Sequence, residues 1–253
     1  MSSDRILGDR VAIVTGGGRG LGRAIAKALA QAGADVAVAG RDLEGLRTTV
    51  AEVIAHGQRA IAVQTDVTDE VACEQLVART VEELGRVDVL VANSGVIHRG
   101  SVLDTPSHEW HRVIETNLTG TYLCARAVGP QFAAQEAGKL IVIASNFAYK
   151  GVPGFVSYCA SKAGLVGFTR ALAVEWSQFG VQVNAIAPGY FETDMNAEVR
   201  SAEAVMKRVV RDIPAGRMGL PEEIGPLAVF LASSASDFMT GETIVIDGGQ
   251  LAH

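Results

Sequence analysis

Seven short runs of apolar, mostly β-branched residues recur along the chain, and all but the last lead into a segment of helical length. The runs are Val11–Thr15, Asp35–Ala39, Ala60–Gln64, Val87–Val91, Leu140–Ala144, Val181–Ala187 and Thr243–Ile246. Several are apolar almost throughout, so both faces must be buried, as in parallel strands between two helix layers. Helices are expected over 20–32, 42–56, 69–84, 107–135, 156–179 and 221–232. The fourth is entered through Thr105 as N-cap, Pro106 in the first turn and Glu109 close behind. This alternation predicts the α/β class: one doubly wound parallel sheet with helices on both faces. No linker or repeat interrupts it, so residues 1–253 are expected to form a single domain. Only 189–219 breaks the pattern, with Gly, Pro and charged residues. Such an excursion beyond a carboxyl strand end predicts a substrate lid.

Composition narrows the function classes. The 253 residues carry a net charge of −6 and no basic block, which argues against nucleic acid or anionic lipid as partner. No stretch of 18 residues lacks a charge, so no spanning helix is expected. Met1–Arg10 is charged and lacks an apolar core, unlike a secretion signal. Cys73, Cys124 and Cys159 are far apart in sequence and sit in helical, apolar surroundings. They are expected to be small core residues in a reducing, cytoplasmic compartment, not disulfides or metal ligands. His108 and His111 lack a third ligand at a suitable spacing, so no metal site is predicted.

Thr15–Gly22 reads Thr-Gly-Gly-Gly-Arg-Gly-Leu-Gly, directly after the first strand and opening the first helix. Gly16 permits a tight turn, and Gly20 and Gly22 let backbone and helix N-terminus approach a pyrophosphate. The second strand ends Val38-Ala39-Gly40-Arg41-Asp42, with Gly40 where a ribose-binding carboxylate would be expected. Arg41, with Arg19 on the same side, can pair with a 2′-phosphate, which predicts NADP(H) over NAD(H). The alternative makes Arg41 a solvated strand-end residue; Asp42 leaves some ambiguity but is expected to cap the next helix. Tyr158 and Lys162 stand one helical turn apart on one face. A nearby ammonium, aided by an oxidised nicotinamide, is expected to draw the phenol towards the working pH. Around them, Asn93 and Gly95, Ser145, and Pro188-Gly189 with Thr193 fall where a doubly wound sheet presents its site. Asn117 lies in the preceding helix.

In this order, Thr15–Gly22, Asp66-Val67, Asn93–Gly95, Asn117, Ser145, Tyr158, Lys162, Pro188-Gly189 and Thr193 make the chain resemble the short-chain dehydrogenase/reductase family over its full length. One departure is Ala92-Asn93-Ser94-Gly95, where the family has Asn-Asn-Ala-Gly. The resemblance implies a Rossmann-type sheet ordered 3-2-1-4-5-6-7, a homotetramer, and hydride transfer between NAD(P) and an alcohol/ketone pair. Mean hydropathy of +0.23 fits a further face buried between subunits. Carried over residue by residue, Tyr158 is the acid/base and Ser145 polarises the substrate oxygen. Lys162 holds the ribose and lowers the phenol pKa, while Asn117, through a helix distortion, orders a proton-relaying water. The implied cofactor set is Gly16, Gly18, Arg19, Gly20, Leu21, Gly22, Arg41, Asp66, Val67, Asn93, Gly95, Tyr158, Lys162, Pro188, Gly189, Phe191 and Thr193. Of these, Asp66 meets the adenine, and Thr193 and the backbone near Phe191 meet the carboxamide. Ser145, Asn146, Phe155, Tyr158 and Tyr190 are expected to line the substrate pocket, with His98 and Arg99 able to meet an acidic substrate. The C-terminal third is similar to members acting on sugar acids and to 3-oxoacyl-carrier-protein reductases. Helix stretches 131–136 and 176–179 lack the basic residues a carrier protein would need. A small ketone or secondary alcohol, including a sugar acid or polyol, is the expected substrate. A non-catalytic dinucleotide sensor is the reading from another class, and it could dispense with Asn117, Ser145, Tyr158 and Lys162.

Overall fold

In the computed structural model, which describes residues 5–252, the apolar runs form one seven-stranded parallel sheet. Its strands are β1 (Val11–Thr15), β2 (Asp35–Gly40), β3 (Ala60–Gln64), β4 (Val89–Ala92), β5 (Gly138–Ile143), β6 (Val181–Pro188) and β7 (Thr243–Ile246). The order is β3-β2-β1-β4-β5-β6-β7, as the resemblance implies. Register aligns Thr15 with Ala39 and Val14 with Val91, so all carboxyl ends open on one edge.

Alternation along each strand divides the core. Ile13 faces one helix layer, made of α3 (Glu70–Leu84), α5 (Gly120–Gln135) and α6 (Val156–Trp176). Ala12 and Val14 face the other, made of α1 (Gly20–Gln31), α2 (Leu43–Ala55) and α9 (Gly225–Ala232). The two layers bury the central strands on both faces, which explains why those strand sequences carry so few polar residues.

Departures from the expected elements have local causes. The single helix over 107–135 is three pieces: α4 (Ser107–Ile114), a π-helical turn (Glu115–Thr119) and α5. Pro106 occupies the N-cap position, while the Thr105 hydroxyl donates to Ser101 O at 2.7 Å instead of capping the helix. Asp42 stands at the N-cap of α2 without a side-chain cap bond. The segment before α9 is a 3-10 turn, Pro221–Ile224. Within 189–219 lie two short helices, α7 (Ala197–Ser201) and α8 (Glu203–Arg211). The excursion is pinned at its base by a bridge between Phe191 and Gly219, with Gly219 N donating to Tyr190 O and Glu192 N to Gly219 O, both at 2.9 Å. Cys73 and Cys124 are buried and unbridged, yet the packing of α3 on α5 brings their sulfurs to 3.7 Å despite their separation in sequence.

Phe132 anchors the α5–α6 layer: it is 1% exposed and sits edge-on to Trp176 with centroids 6.2 Å apart. Gly138 lets β5 pass against its ring, because a Cβ there would overlap the ring atoms. Phe132→Ala is expected to remove about 3–5 kcal/mol of stability. A lowered urea-denaturation midpoint is the readout, and an unchanged midpoint would contradict the packing.

Candidate active site

The glycine turn is built by cross-strand bonds before any ligand is considered. Gly16 and Gly20 have φ of +63° and +53°, a region that disfavours side chains. A Cβ on Gly22 would overlap Gly16 O, so the turn and helix α1 close on each other only because that residue is glycine. Asn93 Nδ2 donates to Thr15 O at 2.9 Å and Gly16 O at 3.2 Å, bracing the turn from β4. Thr15 Oγ1 completes the brace by accepting Asn93 N at 3.0 Å and Ser94 N at 3.1 Å. Thr15 was legible only as the first letter of the motif; its work as a clamp between β1 and β4 depends on strand order.

A second junction holds the reacting end. Asn117 is fully buried in the π-helical turn. Its Oδ1 accepts Val96 N at 2.8 Å, while its Nδ2 donates to Val96 O and to Ser161 Oγ, both at 3.0 Å. Ser161 Oγ in turn donates to Tyr158 O at 2.8 Å. One carboxamide therefore ties the loop after β4, the π turn and helix α6. A Cβ on Gly95 would stand 3.4 Å from Asn117 Oδ1 and 3.7 Å from Lys162 Nζ, so these groups converge. The π turn supplies the helix distortion expected at Asn117, and Thr121 Oγ1 donates to the main-chain oxygen of Asn117 at 2.8 Å.

Tyr158 and Lys162 are both buried on α6. Lys162 Nζ lies 5.6 Å from the Tyr158 ring centroid and donates to Ile143 O at 2.7 Å. Ser145 hydrogen-bonds with the phenol and also accepts Phe147 N at 3.2 Å, opening a short 3-10 turn (Asn146–Ala148). Burial raises the Tyr158 phenol to about 12 despite the Ser145 hydrogen bond. The lowering expected from the Lys162 ammonium does not appear in the protein alone: burial dominates, and the phenol keeps its proton at neutral pH. Burial likewise lowers Lys162 to about 8.

A cavity of about 660 Å³ runs along the carboxyl edge of the sheet from the glycine turn to the helices after β6. All the sequence-predicted cofactor residues and the predicted pocket residues lie on its wall; Asn117 is behind it. Asp66 Oδ1 is engaged by Thr68 N at 3.0 Å and Thr68 Oγ1 at 2.8 Å, which orients the carboxylate. Phe147 forms edge-on pairs with Phe155, Tyr158 and Tyr190 at 5.6, 5.8 and 6.0 Å. Of the two residues considered for an acidic substrate, His98 is turned to Glu109, 3.1 Å away, whereas Arg99 lines the cavity. Sequence reasoning missed Val199, Ala202 and Val205 of the excursion, which cover the cavity, and Gln250, whose Oε1 accepts Asn146 Nδ2 at 2.7 Å. Their partners lie far away in the chain, so no local pattern announces them.

The fit to a dinucleotide rests on the glycine turn, where side chains would obstruct approach, and on the guanidiniums of Arg19 and Arg41. Both line the cavity, and neither forms an ion pair among the described residues. Lys162 generates a pH test. Its proton leaves the folded chain near 8 but the unfolded chain near its ordinary 10.5, so between these values the unfolded state binds more protons. Stability attributable to Lys162 therefore rises with pH across that window, by about 3 kcal/mol at full effect. Lys162→Met is expected to abolish this part of the rise and to be more stable than the native chain at pH 7. Thermal melts from pH 7 to 9.5 test this, and identical pH dependence of the two proteins would contradict it.

A family model described as enoyl-(acyl carrier protein) reductase matches residues 16–250. The 2-dehydro-3-deoxy-D-gluconate 5-dehydrogenase of Dickeya dadantii is 40% identical over 244 residues, spanning 96% of each chain. A 3-oxoacyl-[acyl-carrier-protein] reductase of Synechocystis is 39% identical over 96% of this chain and 97% of its own. A crystal structure of gluconate 5-dehydrogenase from Burkholderia cenocepacia in complex with NADP and tartrate superposes with a TM-score of 0.94, at 33% identity over 99% of this chain and 98% of that one. Motif order, sheet topology and full-length similarity agree: this chain belongs to the short-chain dehydrogenase/reductase family and is an NAD(P)-dependent oxidoreductase acting on CH–OH and C=O groups.

Proposed function

We propose that the protein is an NADP(H)-preferring oxidoreductase that interconverts a small ketone and its secondary alcohol, with a sugar acid or related hydroxy acid as the substrate class. The observation that carries this reading is the convergence of buried Tyr158, Ser145 and Lys162 on the cavity that also holds the glycine turn and the two unpaired guanidiniums. Arg19 and Arg41 would hold the 2′-phosphate, Asp66 the adenine edge, and Lys162 the ribose of the nicotinamide. Thr193 and the backbone near Phe191 would hold the carboxamide. The nicotinamide, when bound, supplies or accepts the hydride.

In reduction Ser145 donates a hydrogen bond to the carbonyl oxygen and the Tyr158 hydroxyl delivers the proton to it. In oxidation Tyr158 takes that proton back. Asn117 positions the water path that restores the proton through Lys162. Residues 189–219 act as a lid, and their pinned base at Phe191 and Gly219 supports hinge-like closure. The whole chain acts as one domain.

The sugar-acid relative and the NADP and tartrate complex support an anionic, hydroxylated substrate. The carrier-protein reductase at 39% identity supports a second reading, reduction of a 3-oxoacyl thioester. We also propose a cytoplasmic homotetramer. Tyr122 on α5 and Val174 on α6 are 48% and 78% exposed, apolar groups that a neighbouring subunit would cover. No helix among the described residues is long and apolar enough to cross a membrane.

A panel of ketones and sugar acids with NADPH and NADH, followed through the absorbance of the reduced nicotinamide, tests the reading. NADPH is expected to give the higher kcat/KM. Tyr158→Phe is expected to lose at least about a hundredfold in kcat while still binding NADPH. Better turnover with NADH would overturn the arginine argument, and near-normal turnover in Tyr158→Phe would overturn the proton-transfer assignment.

A further inference from the structure

The residue after Ser145 carries a carboxamide whose two ends differ in their commitments. Asn146 is 1% exposed and lines the cavity. Its Nδ2 donates to Gln250 Oε1 at 2.7 Å. Among the described residues, the fully buried polar side-chain atoms left without a partner are Thr243 Oγ1 and Asp247 Oδ2. No described group donates to Asn146 Oδ1, yet it is not one of these, so it keeps access to the cavity.

Gln250 is held by the turn after β7. Gly248 and Gly249 take φ of +66° and +88°, which folds the backbone back on itself. Asp247 Oδ1 accepts Gly249 N at 2.9 Å and Gln250 N at 3.1 Å. A Cβ on Gly189 would overlap Asp247, so the turn sits directly against the end of β6. Ala215 N donates to Gly248 O at 3.0 Å, which ties the far part of the 189–219 excursion to the same turn. A carboxamide offers donors on one side and an acceptor on the other. With Gln250 Oε1 fixed on the donor side of Asn146, the cavity meets the acceptor. The surrounding wall adds little competing polarity. Asn196 Nδ2 is spent on Phe191 O at 2.8 Å, Lys162 donates to Ile143 O, and Phe147, Phe155, Met195 and Val199 are apolar.

We propose that Asn146 is a specificity-determining residue: its Oδ1 accepts a hydrogen bond from a hydroxyl on the carbon next to the reacting carbonyl, and Gln250 is the positioning residue that keeps this oxygen turned inwards. The substrate class is then an α-hydroxy ketone and its vicinal diol, not a plain ketone. Consecutive Cα atoms lie about 3.8 Å apart, so Ser145 and Asn146 suit oxygens on adjacent carbons. A substrate without that hydroxyl displaces water from Oδ1 and offers no donor in return. A methyl ether, which can only accept, sets two oxygens against each other. The inference rests on the proposed carbonyl/alcohol chemistry and adds the neighbouring hydroxyl.

Three carbonyls that differ only at that carbon test it with NADPH: 3-hydroxybutan-2-one, butan-2-one and 3-methoxybutan-2-one. The native protein is expected to favour the hydroxy ketone over the other two by at least about tenfold in kcat/KM. Asn146→Leu and Gln250→Leu are each expected to lose that preference, mainly through KM. Gln250→Glu keeps an acceptor for Asn146 Nδ2 and is expected to retain it. A second measurement requires no turnover: binding of butane-2,3-diol and of butan-2-ol to the protein–NADPH complex, read by NADPH fluorescence. The diol is expected to bind at least about tenfold more tightly in the native protein and to lose this advantage in Asn146→Leu. Equal use of the three carbonyls by the native protein would overturn the assignment. So would a preference that survives in Asn146→Leu or Gln250→Leu, or one that Gln250→Glu loses. Diol binding that depends on Asn146, without NADPH-dependent turnover of any carbonyl, would instead support the acceptor and overturn the proposed function.

Discussion

The site depends on a single buried carboxamide. Asn117 presents its oxygen to Val96 N and its nitrogen to Val96 O and Ser161 Oγ, and so joins three segments that the chain brings together from distant positions. A buried amide left unsatisfied is costly, which makes the set of bonds all-or-none. While they hold, α6 cannot slide or turn relative to the loop after β4. Tyr158, one turn before Lys162, is then fixed at the edge where the cavity opens.

Burial, more than charge pairing, sets the electrostatics of this edge. It pushes the phenol up to about 12 and the ammonium down to about 8. Both shifts favour neutral forms, and both follow from enclosing polar groups between apolar layers. Keeping Lys162 buried costs the fold stability that the hydrogen bond to Ile143 O offsets only in part. Function is the reason to retain such a group where an apolar residue would pack at less cost. Under the proposed function, protonated Tyr158 and the neighbouring Ser145 hydroxyl would meet a carbonyl oxygen.

Much of this was legible in the residues. Strands apolar on both faces required two helix layers, and parallel strands with helical crossovers left the carboxyl edge as the place for a ligand. The glycine turn and the Tyr158/Lys162 spacing are local patterns, readable because each depends on neighbours within one turn. The misses depend on contacts across the fold. The π turn at Asn117 leaves no local signature, since helical periodicity continues through it, and only the family resemblance led to a distortion being expected there. Thr105 fits an N-cap by residue type, but its hydroxyl finds Ser101 O first. The meeting of Cys73 with Cys124, and of Asn146 with Gln250, follows from strand order and helix packing. His98 and Arg99 are adjacent and equally polar, yet Glu109 on α4 claims only the histidine.

The most direct measurement of the central constraint is the turnover of Asn117→Ala, set beside its NADPH affinity and its circular dichroism. With the fold and NADPH binding retained, kcat is predicted to fall by about a hundredfold, because Tyr158 and Lys162 lose the registration that the carboxamide imposes. A folded Asn117→Ala protein that binds NADPH and turns over at the native rate would contradict the account.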